Sequence, residues 1–143
     1  MAFTVDCKYN HGTHIVEASF DGVLVTEAEV QQLFTVLEDY VRPLRKPVYL
    51  VANFDSWRVE TDVMRRYGGA LRAFCVNSQT VFAAHSADIY ARMNLRLAAV
   101  IGGASPNLFH TRQEALDFVQ EQQRLALATA AAAAASVSPN LHY

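Results

Sequence analysis

The chain has 143 residues, 52% apolar and 18% charged, a length and balance that suit one globular domain with a continuous core and exclude intrinsic disorder. With 12 basic against 14 acidic residues the formal net charge is −2, so no electrostatic field gathers nucleic acid or anionic lipid. The two cysteines, Cys7 and Cys75, share no paired spacing and read as buried, reduced thiols.

Phe3, Val5, Cys7 and Tyr9 alternate with polar residues, Asn10-His11-Gly12-Thr13 supplies turn chemistry, and Val16, Ala18 and Phe20 alternate again. This is the pattern of a half-exposed β-hairpin, which Asp21-Gly22 is expected to end. The N-terminal residues lack the basic start and apolar run of a secretory signal.

Thr26-Glu27-Ala28-Glu29 is a capping box, in which the first and last side chains satisfy exposed amides at a helix start. Val30, Leu33, Phe34, Leu37 and Val41 then form one apolar stripe. Beyond Pro43 and Pro47, Val48-Tyr49-Leu50-Val51-Ala52 is uninterrupted apolar sequence, the signature of a strand covered on both faces, and is taken as the central strand.

Residues 53 to 62 read as a loop. A second helix is expected over residues 61 to 74, with Val63, Tyr67, Leu71 and Phe74 inward and Gly68-Gly69 permitting close backbone packing. Thr80-Val81-Phe82-Ala83-Ala84 reads as a strand, and Ser86 as the cap of a third helix whose buried side carries Ile89, Met93, Leu97 and Val100. Gly102-Gly103 stops that helix.

A short strand, Leu108-Phe109-His110, precedes a second capping box, Thr111-Arg112-Gln113-Glu114, and a final helix with Ala115, Leu116 and Val119 inward and Phe118 at the edge. From about Leu125 the pattern dissolves into alanine. The reading is therefore one α/β domain over residues 1 to 125 and an Ala-rich tail over 126 to 143, which either extends the last helix or frays. The order ββαβαβαβα implies a mostly parallel, mixed five-stranded sheet whose hairpin adds an antiparallel edge. No apolar stretch approaches the roughly 20 residues needed to span a bilayer, and the expected location is the cytoplasm.

The element order, together with Phe20-Asp21-Gly22 before the first capping box, Lys46-Pro47-Val48-Tyr49-Leu50-Val51, and the run from Leu108 to Val119, resembles the STAS-like fold of anti-sigma-factor antagonists. The likeness extends to their stage II sporulation AA-like and SEC14-like bacterial relatives and covers about residues 14 to 120. It implies a non-catalytic bacterial regulatory module that docks protein partners, sometimes switched by phosphorylation after the central strand. The family's Asp-Ser-Ser-Gly motif is missing here. Ser56 and Thr61 are the only hydroxyls in that loop, so recognition by a kinase is not carried over.

On this reading Phe54, Asp55, Ser56, Trp57, Arg58, Thr61 and Arg65 form the surface for a protein partner or for self-association into a homo-oligomer. Trp57 has two readings, an exposed anchor for a partner or a plug at the end of the core. The arginines at 65, 66, 72, 92 and 96 are read as a solvated face or as a basic contact surface. Two other function classes stay open: a carrier of a small molecule or lipid, and a small hydrolase.

Parallel sheets place ligands at the carboxyl ends of their strands, which here hold Asp55, His85 and His110. An imidazole oriented by a carboxylate is what proton-transfer chemistry requires. Ser86 and Thr111 are accounted for as helix caps, and no nucleophile elbow or His-Glu-x-x-His accompanies them, so no catalytic residue, metal or cofactor is expected. Gly102-Gly103-Ala104-Ser105 follows a helix instead of opening one, unlike a phosphate loop.

Overall fold

The computed structural model describes residues 3–137. Its elements run β1 (Phe3–Asn10), β2 (Ile15–Leu24), α1 (Glu27–Val41), β3 (Val48–Val59), a single 3-10 turn (Thr61–Val63), α2 (Met64–Asn77), β4 (Thr80–His85), α3 (Ile89–Ile101), β5 (Leu108–Phe109) and α4 (Arg112–Val137). The order is ββαβαβαβα. One five-stranded sheet has the spatial order β1-β2-β3-β4-β5, with β1 antiparallel to β2 and every later pair parallel.

Strands that advance one place at a time through right-handed crossovers leave their helices on one face of the sheet. Accordingly Val16, Ala18 and Phe20 of β2, Leu50, Ala52 and Phe54 of β3, and Phe82 and Ala84 of β4 pack in one core with Leu33, Phe34, Tyr67, Phe74 and Leu95 of α1, α2 and α3. The alternate residues Ile15, Tyr49, Val51 and Ala83 face Ala115 and Val119 of α4 on the other side. That two-sided cover is why β3 begins as an unbroken apolar run.

The first capping box forms as its sequence dictates: the Glu29 amide donates to Thr26 Oγ1 at 3.2 Å while Glu29 Oε1 accepts from the Thr26 amide at 3.0 Å. Thr111 and Glu114 repeat this reciprocal pairing at the start of α4. All five stripe residues of α1 are buried.

Three boundaries differ from the sequence reading. β2 runs through Gly22 to Leu24, because the pairing of β2 with β3 shifts between Ser19 and Asp21 and Gly22 takes a φ of 122° that suits glycine. The Asp21-Gly22 step thus continues the strand, and the bulge lies on β3, where Phe54 and Asp55 together stand opposite Phe20. The loop expected over 53 to 62 is largely strand, since β3 continues to Val59 alongside the lengthened β2. The cap of α3 is Asp88, whose Oδ1 accepts from the Tyr90 amide at 3.0 Å, while Ser86 Oγ accepts from the Asp88 amide two residues earlier.

Helices α2 and α3 cross almost backbone to backbone. A Cβ added to Gly68 would lie 2.2 Å from the carbonyl oxygen of Ala98 and 2.7 Å from Gly102 Cα. Gly69, its neighbour, meets nothing within 4 Å. The Ala-rich segment continues α4 as helix as far as Val137, with residues 126–136 exposed; residues 138–143 of the expected tail lie outside the described residues. Among the described residues no helix is long and apolar enough to cross a membrane.

Candidate functional site

The carboxyl ends of the parallel strands bring Asp21, Asp55, Ser56, Arg58 and Asp88 around a shallow depression of about 350 Å³ beside Ala91 of α3. Several polar groups in and beside it hold backbone. Asp55 Oδ1 accepts from the Ala87 amide at 2.9 Å, tying the end of β3 to the segment that enters α3. Arg92 Nη1 donates to the Ser86 carbonyl at 2.6 Å. The Asn94 side chain pairs with Val59 in both directions, accepting from its amide at 3.1 Å and donating to its carbonyl at 3.0 Å, as another strand would.

Of the expected contact residues, Asp55, Ser56, Arg58, Thr61 and Arg65 are exposed. Phe54 and Trp57 are core residues, 3% and 2% exposed, which corrects the reading of the tryptophan as a surface anchor. The cause is the extension of β3: strand alternation carries Phe54 inward, and after the bulge it carries Trp57 to the same face. There Trp57 meets Phe20 and Phe3 edge-on at ring-centroid distances of 5.3 and 6.0 Å. Its Nε1 is buried near the Tyr67 hydroxyl, with no hydrogen bond of ordinary length.

Asp55 and His85 fall within electrostatic reach of each other, on the α4 side of the sheet. Burial holds the imidazole below its ordinary 6.5, favouring the neutral ring; the carboxylates of Asp55 and Glu17 pull the other way and the Arg112 guanidinium adds to the lowering. Arg112 itself makes a two-pronged ion pair with Glu17 at 2.6 and 2.7 Å, which lowers the Glu17 carboxyl from its usual range. His110 is exposed on the turn before α4. Among the described residues no three His, Cys, Asp or Glu side chains gather closely enough to hold a metal ion, so Asp55, His85 and His110 do not meet as a ligand set. Cys7 and Cys75 are free and half-buried, and burial pushes each thiol up to about 11.

The largest departure from the sequence reading lies on α3. Ile89, Met93, Leu97 and Val100, expected inward, are 55%, 62%, 51% and 58% exposed, and Tyr90 and Ile101 join them on the surface. Leu95, Ala98 and Ala99 are buried instead, with Ala91 packed against the core. Two contacts fix this rotation. The Gly68–Gly102 crossing admits only small residues between α2 and α3, and the Asn94–Val59 pairing turns the polar residue toward the sheet. A helix carrying two apolar stripes was legible in the sequence, and such a helix needs cover on both sides. The small-residue stripe and the glycine pairs were the signal for which side faces in.

The chain matches no protein-family model, and no curated protein matches it.

Proposed function

We propose that this chain is a non-catalytic regulatory module of the STAS-like type, acting in bacterial signalling through protein contacts, with the outer face of α3 as its docking surface. The observation that carries the reading is the row of Ile89, Met93, Leu97 and Val100, each more than half exposed. A contiguous large apolar patch on a surface helix marks an interaction site more often than a solvated face. The exposed residues at the end of β3, Asp55, Ser56 and Arg58, lie next to the start of this helix, since Asp88 and Ala91 line the same depression. They supply the polar rim that apolar interface centres carry. A cytoplasmic setting accords with two unpaired thiols.

The test is a photo-crosslinking residue at position 97 in the source cell, with the same group at Asp39 on α1 as a control. Discrete protein adducts at 97 that Met93→Glu abolishes support the reading. An adduct pattern equal to that at Asp39 refutes it.

A second reading, a small-molecule or lipid carrier, is favoured by a groove of about 560 Å³ at the opposite end of the sheet, lined by Tyr9, His14, Leu44, Lys46, Tyr49 and Leu127 among others. Native mass spectrometry of the purified chain tests it: a retained small molecule supports the carrier, and a ligand-free mass counts against it.

A further inference from the structure

Resting on the docking surface proposed for α3, we infer that its occupant is the α3 of a second copy, forming a two-fold homodimer.

The first ground is the pattern of the ridge. Ile89, Met93, Leu97 and Ile101 recur every fourth residue, and read backward they give Ile, Leu, Met, Ile. A two-fold axis passing between Met93 and Leu97 sets each against the other and Ile89 against Ile101 of the second copy. Leucine and methionine exchange in packed interiors at little cost because their volumes match. A ridge with this spacing is the element that interdigitates with its own copy in the commonest class of helix crossing, at about −50°. An isologous contact needs a surface complementary to itself, and a ridge whose residues match in size when read in either direction meets that need.

The second ground is area. With Tyr90 at 77%, Ile101 at 39% and the four central residues between 51% and 62% exposed, the six present on the order of 700 Å² of accessible surface, close to the roughly 800 Å² that each partner buries in a standard interface. The third is charge. The four ridge residues are all uncharged, and crossing helices in opposite directions sets each dipole's positive end toward the other's negative end.

Sedimentation velocity of the full chain, from low micromolar to several hundred micromolar, is the deciding experiment. The wild type is expected to sediment as a dimer. Leu97→Glu and, separately, Met93→Lys weaken it at least about tenfold, because each buries a charge at the axis. Val76→Glu, on α2 at a residue 68% exposed, leaves the dimer intact, and circular dichroism verifies that all three variants fold. A wild-type monomer at every concentration overturns the inference, as does a dimer that survives both α3 variants. If the chain is monomeric while position 97 still crosslinks to a different protein, the second copy is refuted and the docking reading stands; if it is monomeric and 97 gives no specific adduct, both fall.

Discussion

Gly68→Ala and Gly69→Ala change adjacent residues of one helix by one methyl group, and the fold predicts opposite signs for them. In a helix interior, alanine is favoured over glycine by about 1 kcal/mol, and Gly69, with nothing within 4 Å of its added Cβ, collects that gain. At Gly68 the methyl would sit 2.2 Å from the Ala98 carbonyl oxygen. That oxygen and the Cα of Gly102, 2.7 Å from the same methyl, are backbone of α3 and its C-cap, which no side-chain rotation relieves. Restoring van der Waals contact moves α2 and α3 apart by on the order of 1 Å along a close-packed contact. Overpacking of this kind costs about 1–3 kcal/mol, and separating the helices also strains the Asn94–Val59 pairing, so a net loss of about 2 kcal/mol is expected. The two variants should then differ by about 3 kcal/mol, or on the order of 10 °C in Tm for a domain of this length. Thermal and urea denaturation followed by circular dichroism reads both. Equal stabilities for the two variants would refute the close crossing, and with it the reason that the large apolar residues of α3 face outward.

Trp57, the single tryptophan, should emit at short wavelength and resist acrylamide quenching, and Trp57→Ala should cost about 3–5 kcal/mol; a red-shifted, quenchable emission would return it to the surface. Asn94→Ala leaves the amide and carbonyl of Val59, a residue 1% exposed, without their partners, and should lower the unfolding free energy by about 1–3 kcal/mol; a neutral result would mean that water replaces the side chain. Burial depresses the His85 pKa in the folded state, so its contribution to stability is present above the ordinary 6.5 and is lost as pH falls below it, because the unfolded chain then takes up the proton more readily. Urea midpoints measured from pH 7.5 down to about 5 should fall for the wild type and flatten in His85→Gln, a window above the range in which Glu17 titrates; parallel curves would sink the assignment.

Local chemistry made much of this fold legible. Both capping boxes, the stripes of α1 and α2 and the central apolar strand depend on residues within a few positions of one another, and short-range sterics and hydrogen bonding fix them whatever the rest of the chain does. Their order also implied the mostly parallel sheet, since a strand, a helix and a strand close in one hand. What periodicity could not decide was orientation where a segment offers two answers. Residues 53 to 59 carry polar groups among aromatics and read as a loop, yet pairing with β2 draws them out as a bulged strand and buries Phe54 and Trp57. On α3 the larger apolar stripe is the stronger signal by itself, but the space left by Gly68 and the unpaired backbone of Val59 accept only the smaller one. Hydrophobicity along a helix ranks its faces; which face turns inward is set by the shape of what it packs against, and that shape exists only once the chain has folded.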